Sequence, residues 1–200
     1  MIEATIIGAG VAGLCVARVL LDRGVDVVGV DRPADTGPHA CSWWAGGMLA
    51  PFCEGESAEE PVVRLGSEAA DWWDAKTDAV HRCGSLVVSP ARDKSDLVRF
   101  ARRTTGFRKV NGPEISILEP DLGDRFSKGL FFESETHLAP RRALSQLRAS
   151  VLADGAQFAQ DDADPDKYAQ RGLTIDCRGF QAKEDLRDLR GVKGEMLILS

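Results

Sequence analysis

Two hundred residues carrying 31 acidic and 25 basic side chains give a formal net charge of -6, with the two signs interspersed. That balance makes no electrostatic case for nucleic acid or an anionic membrane surface, and no apolar run approaches membrane-spanning length. With no basic n-region or cleavage signal before the first strand, the expected setting is cytoplasmic. Five scattered cysteines without a C-x-x-C pair fit reduced thiols better than a disulfide framework, and three dispersed histidines offer no metal site.

The chain opens on its most informative stretch. Ile2 to Ile7 reads as an apolar strand, Gly8-Ala9-Gly10-Val11-Ala12-Gly13 as a turn, the following residues to about Arg23 as a helix stopped by Gly24, and Val25 to Val30 as a second strand ending on Asp31. A G-x-G-x-x-G turn between a strand and a helix is the order a dinucleotide fingerprint requires. Gly8 makes the tight turn, Gly10 admits a pyrophosphate to the helix N-terminus, and Gly13 lets the helix lie close to the sheet. Asp31 is placed to hydrogen-bond ribose hydroxyls. The plainer alternative is a βαβ unit that binds no nucleotide. Leu14, Ala17, Val19, Leu20 and Leu21 supply the buried helix face that the full pattern needs.

Arg32 to Pro38, with two prolines and a glycine, is a loop. In Cys41 to Pro51, Gly46 and Gly47 let the backbone pass close to something flat or bulky, with flexible Met48 beside it; Trp43 and Trp44 read equally well as core. Ser57 to about Lys76 reads as one long helix whose apolar face includes Val62, Val63, Leu65, Ala69, Trp72 and Trp73, the two tryptophans being core rather than a stacking platform. Gly84 to Ser89 is a strand and Asp93 to Arg103 a helix. Asn111 to Leu118 is a short helix opened by Asn-Gly-Pro-Glu. Arg99, Arg102, Arg103, Arg108 and Lys109 read as a solvated helix face and the turn after it.

Gly129 to Phe132 is a further strand. Pro140 then leads into a helix from Arg141 to Ala153 with Ala143, Leu144, Leu147 and Val151 on one face. Gly155 to Ala159 and Leu173 to Asp176 are strands, the second closing on Cys177-Arg178-Gly179. Gly179 is either a plain turn glycine or a second approach to a cofactor. Gly191 to Ser200 reads as a last strand. No Ser-His-Asp or paired-carboxylate pattern appears, and no catalytic residue is assigned.

Several of these stretches together resemble a known family. The extended pattern from Gly8 to Arg32, Ala45-Gly46-Gly47-Met48-Leu49-Ala50-Pro51, Thr136-His137-Leu138-Ala139-Pro140-Arg141, Asp176-Cys177-Arg178-Gly179 and the ending from Arg190 to Leu199 are similar to the glycine oxidase branch of the D-amino-acid oxidase family. The resemblance implies an α/β fold: a Rossmann-like FAD-binding domain interleaved with an incomplete, mixed-sheet substrate domain. The FAD domain would take residues 1–80 and 138–190, the first part of the substrate domain 81–137, and the start of its return 191–200. Family chains run on well past this length, so the remainder of the active site would come from further chain or a partner, and a homo-oligomer is expected.

By the same resemblance, Gly8, Ala9, Gly10, Val11, Ala12 and Gly13 would hold the FAD pyrophosphate, and Asp31 and Arg32 the adenosine end. Cys41 and Ser42 would lie on the diphosphate-to-ribityl side. Ala45, Gly46, Gly47 and Met48 would run along the isoalloxazine ring, with Met48 also near the substrate, and Gly179 would close on the cofactor. The implied activity is oxidative deamination of glycine, or a similar small amine, by FAD and oxygen, giving an imine and hydrogen peroxide and feeding thiamine thiazole synthesis. A flavin-dependent D-amino-acid or amine dehydrogenase, and a non-catalytic half-length FAD-binding subunit, are the alternatives. Cys41, Trp43, Trp44 and Arg178 depart from the family pattern.

Overall fold

In the computed structural model, residues 3–33, 35–161, 164–169 and 172–195 are described. The chain divides into two compact units: Met1–Gly46 with Pro140–Ser200, and Gly47–Ala139.

The first unit begins with β1 (Glu3–Ile7), α1 (Val11–Leu21) and β2 (Asp26–Asp31), and a single turn of tight helix at Cys41–Trp44 follows the intervening loop. The second unit contains β3 (Met48–Leu49), α2 (Pro51–Glu54), α3 (Glu60–Gly66), α4 (Ala69–Asp74), β4 (Val80–His81), β5 (Ser85–Val88), α5 (Lys94–Arg103), β6 (Arg108–Asn111), α6 (Gly112–Leu118), β7 (Lys128–Phe132) and β8 (Thr136–Leu138). The chain then returns to the first unit with α7 (Pro140–Ala153), β9 (Gln157–Gln160), α8 (Pro165–Tyr168) and β10 (Leu173–Asp176).

The first unit is a four-stranded parallel sheet in the order β10-β1-β2-β9. Ala4, Ile6 and Ile7 of β1 are fully buried, as a central parallel strand requires. α1 packs beside α7, burying Leu14 and Ala17 from one and Ala143, Leu144, Leu147 and Val151 from the other. Each large aliphatic side chain in that layer contributes roughly 1.5–3 kcal/mol. The four apolar positions read for α7 are thus its buried face, and Pro140 occupies its first turn.

The second unit holds two antiparallel three-stranded sheets, β3-β8-β4 and β5-β7-β6. Val110, Ile115 and Phe131 form a core against the second sheet. The start of α6 is fixed by a capping box: Asn111 Oδ1 accepts from the Glu114 N–H and Glu114 Oε2 accepts from the Asn111 N–H.

Several elements differ from the sequence reading. The long helix expected over 57–76 is two helices, α3 and α4. Gly66 lies against Pro51, and the Ser67 hydroxyl donates to the Arg64 carbonyl at 2.7 Å, so the Glu68 N–H turns to Leu65 instead. Val62 and Leu65 consequently stay exposed while Trp73 is buried. Arg108 and Lys109 lie in strand β6 rather than in a turn. Only Val110 of that strand is buried, which leaves no period for a sequence reading to catch. β9 starts two residues later than expected, and α8 has no counterpart in the sequence reading. Gly191 to Glu195 carry no strand, and Met196 to Ser200 lie outside the described residues.

Candidate cofactor site

The carboxyl ends of β1, β2 and β10 open on a cleft of about 310 Å³ within the first unit. Ligands of open parallel sheets bind at this edge. Nine of the expected residues line the cleft: Gly8, Gly10, Val11, Ala12, Asp31, Arg32, Cys41, Ser42 and Gly179. Pro33, His39, Ala40, Cys177, Arg178, Phe180 and Gln181 complete it. Pro33, His39, Phe180 and Gln181 lie outside every motif and carry no signal in the sequence.

The turn at its head is fixed by close packing. Gly8 adopts φ +100°, and a Cβ there would stand 2.6 Å from the Cys177 carbonyl oxygen. Its N–H donates to Val30 at 2.8 Å, while the Cys177 N–H donates to Ile7 at 2.7 Å, which ties β1 to both neighbours at this end. A Cβ on Gly13 would stand 1.8 Å from the Gly8 carbonyl oxygen, so α1 can follow the turn this tightly only with glycine there. Gly13 therefore supports the turn from behind the cleft wall.

α1 begins at Gly10, which has no side chain to cap it, and its first turn contains no acid. The Val11 N–H donates instead to Ser42 Oγ at 3.2 Å, a hydroxyl supplied by the Cys41–Trp44 turn. The positive end of the helix dipole thus lies at the cleft wall with one N–H capped by a neutral group, an arrangement suited to an anion.

Asp31 has a structural duty beside the one expected of it. Its Oδ2 accepts from the Ala9 N–H at 2.7 Å and its Oδ1 from the Arg32 N–H at 2.8 Å. The carboxylate braces the glycine turn, and each oxygen retains a lone pair for a hydroxyl donor. Ala9 itself is buried behind the wall.

Arg178 brings no free charge to the cleft. Its guanidinium meets Asp176 in a two-pronged pair at 3.0 and 2.8 Å and Asp185 at 2.7 Å. Those carboxylates hold its pKa well above the ordinary value, and the guanidinium in turn holds the Asp176 carboxyl below the usual carboxylate range. Burial pushes the thiols of Cys15 (to about 12) and Cys177 upward, so neither is a ready nucleophile.

Ala45, Gly46, Gly47 and Met48 do not line this cleft. Ala45 and Gly46 are exposed at the edge of the first unit, and Gly47 and Met48 begin the second, where the Leu138 N–H donates to the Gly47 carbonyl at 2.7 Å. Met48 is 55% exposed, although it sits in a strand. Trp43 and Trp44 follow neither expectation fully. The Arg141 guanidinium lies 5.3 and 5.1 Å from their ring centroids, Trp44 Nε1 donates to the Pro38 carbonyl at 2.8 Å, and half of Trp44 stays exposed.

A second hollow of about 660 Å³ lies within the second unit, between α5 and strands β6 and β7, with Leu97, Ala101, Phe107 and Leu130 among its apolar lining. Arg102 and Lys109, read as a solvated face, stand on its wall. Among the described residues no group of three or more potential metal ligands converges, and no helix is long and apolar enough to cross a membrane.

The profile of the FAD dependent oxidoreductase family matches residues 3–199. A protein of Rhizobium etli whose provisional name is thiamine biosynthesis oxidoreductase ThiO is 47% identical over 197 residues, covering 95% of this chain and 58% of its own length. Glycine oxidase from Geobacillus kaustophilus superposes with a TM-score of 0.70 at 17% identity, over 92% of this chain and 57% of that one. A fructosyl peptide oxidase superposes at 0.72 and 17% identity, over 94% of this chain and 52% of that one. The structural likenesses show the α/β fold alone, and this chain spans little more than half the length of each of these proteins.

Proposed function

The chain belongs to the FAD dependent oxidoreductase family, and on that premise we propose that it forms the FAD-binding part and the beginning of the substrate side of an enzyme that oxidises glycine or a similar small amine. The observation that carries this reading is the cleft in which the Gly8–Gly13 turn meets Ser42 and the end of β10. The residues fit the cofactor. A Cβ added at Gly10 would meet only Ser42 Oγ, at 3.6 Å, so the backbone there is open to a diphosphate. The helix end offers N–H groups and positive potential.

In this reading Gly8, Gly10, Val11 and Ala12 cradle the diphosphate while Ala9 and Gly13 hold the turn in shape. Asp31 accepts from ribose hydroxyls, with Arg32 at the adenosine end. Cys41 and Ser42 lie toward the ribityl chain, and Gly179 lets the backbone after β10 come near. Ala45, Gly46, Gly47 and Met48 run along the flavin ring, Met48 toward the substrate. Residues 1–80 and 138–190 would then serve the FAD and 81–137 and 191–200 the substrate, with residues 47–80 folded inside the second compact unit.

FAD held by these residues would supply the two-electron oxidation of an amine to an imine, with oxygen as final acceptor and hydrogen peroxide as product. The chain's own contribution is to hold and orient the cofactor. Similarity to the Rhizobium etli protein supports a place in thiamine synthesis.

The test is an anaerobic visible spectrum of the protein loaded with FAD and desalted, before and after glycine. A retained flavin band that bleaches with glycine is the expected result. A retained band that ignores glycine removes glycine as substrate and keeps the cofactor assignment. Failure to retain FAD, in a protein whose circular dichroism shows it folded, overturns the site.

A further inference from the structure

We propose that Cys83 and His137 form a thiol–imidazole pair that makes Cys83 the selective modification site of this chain, reacting with small peroxides and soft alkylating electrophiles. The pair belongs to the second unit and needs no flavin. β8 is the central strand of its small sheet, and His137 faces Met48 on β3 and His81 on β4 in register. Directly opposed residues of antiparallel strands project to the same side, so Met48, His137 and His81 form one row across the sheet. The chain leaves β4 after His81, and Cys83 Sγ comes to 3.4 Å from His137 Nδ1. Cys83 Sγ also lies 3.8 Å from the His81 carbonyl oxygen.

The thiol is held in place. Gly84, at φ +75°, turns the chain immediately after it, and the Gly84 N–H donates to the Glu135 carbonyl at 3.0 Å. The loop carrying the nucleophile is thereby tied to the residue just before β8, two positions ahead of His137. A nucleophile and a base within hydrogen-bond reach are the geometric signature of an activated thiol.

The other four cysteines lack this combination. Cys15, Cys53 and Cys177 are partly buried, and burial pushes their thiols up; Cys53 is raised further by its hydrogen bond to the Glu135 carboxylate. Cys41 is exposed, yet no imidazole hydrogen-bonds to it among the described residues. Cys83 combines exposure with a base.

With a peroxide the step balances simply. His137 Nδ1 takes the thiol proton, and the thiolate attacks one peroxide oxygen. An S–O bond forms as the O–O bond breaks, and the leaving hydroxide recovers the proton as water. The sulfur loses two electrons to the peroxide and becomes a sulfenic acid. If the amine-oxidase reading holds, the enzyme releases this reagent itself, but the pair's reactivity does not depend on that.

The experiment treats the folded chain with limiting hydrogen peroxide plus dimedone and, in parallel, with iodoacetamide, and follows all five cysteines by peptide mass spectrometry. We expect Cys83 to react about tenfold faster than Cys41, because only Cys83 has a base in place to take the thiol proton. His137→Asn should bring Cys83 down to the Cys41 rate and leave Cys41 unchanged, whereas His81→Asn should change little. A Cys83 that reacts no faster than Cys41 in the unmodified chain overturns the proposal. So does a Cys83 rate that survives His137→Asn. Unmasking of Cys15 and Cys53 would report an unfolded variant, and His137→Gln then decides in its place.

Discussion

Two glycine-bearing segments stand in contrast. At Gly8 and Gly13 the missing side chain is accounted for inside the protein, since a Cβ would overlap Cys177 at the first and the turn itself at the second, whereas one at Gly10 would meet only Ser42 Oγ at 3.6 Å. At Gly46 a Cβ would meet nothing within 4 Å, and Met48 nearby is 55% exposed. The first segment is shaped by its own packing and exists before any cofactor arrives. At Gly46 no packing contact among the described residues calls for glycine. Packing thus accounts for glycine at Gly8 and Gly13 and not at Gly46.

Substitutions can break this contrast. Gly13→Val should have the largest effect, about 3 kcal/mol or more in a denaturant titration, because α1 must leave the turn. Gly8→Ala adds a side chain to a left-handed backbone already in contact, and about 2–3 kcal/mol is expected. Gly46→Ala should change stability by less than about 0.5 kcal/mol while weakening FAD retention about tenfold. Equal stability losses at Gly13 and Gly46 would erase the distinction.

Smaller effects sharpen it. Ser42→Ala removes the remote acceptor of the Val11 N–H and should cost about 1 kcal/mol, read as a lowered melting temperature. The pair behind the cleft has a pH signature. Arg178 holds the folded-state pKa of Asp176 below its unfolded value, so the contribution is complete above the ordinary carboxylate range and is lost as pH falls through the folded pKa. After allowance for solvent screening it should amount to about 1 kcal/mol. Stability measured from pH 6 downward should therefore fall more steeply in the unmodified chain than in Arg178→Met, and parallel curves would remove the pair's role.

The cleft is more legible than the rest because its signal is local. A strand, a glycine turn and a helix follow one another within the first 21 residues, and each constrains the next. Ser42, by contrast, is expected on the cofactor side, but nothing in its neighbours announces that it accepts from Val11, 31 positions away. Asp31 shows the same limit. Its position at the end of β2 is readable, whereas its bond to Ala9 requires both strands to be in place. In the second unit, short elements with mixed polarity defeat periodicity: β6 exposes three of its four residues, and the expected helix breaks at Ser67, whose hydroxyl takes a backbone acceptor.

By itself the sequence determined the β1-α1-β2 unit, the buried face of α7 and the family, because these rest on patterns repeated at fixed spacing within one element or one motif. Tertiary structure alone decided which loop caps α1, why Arg178 carries no free charge at the cleft, and how Cys83 meets His137 across 54 positions of chain. Those outcomes depend on strand order and turn geometry. Hydrogen bonds and ion pairs act over a few ångströms of space, and only folding brings positions so distant in the chain that close.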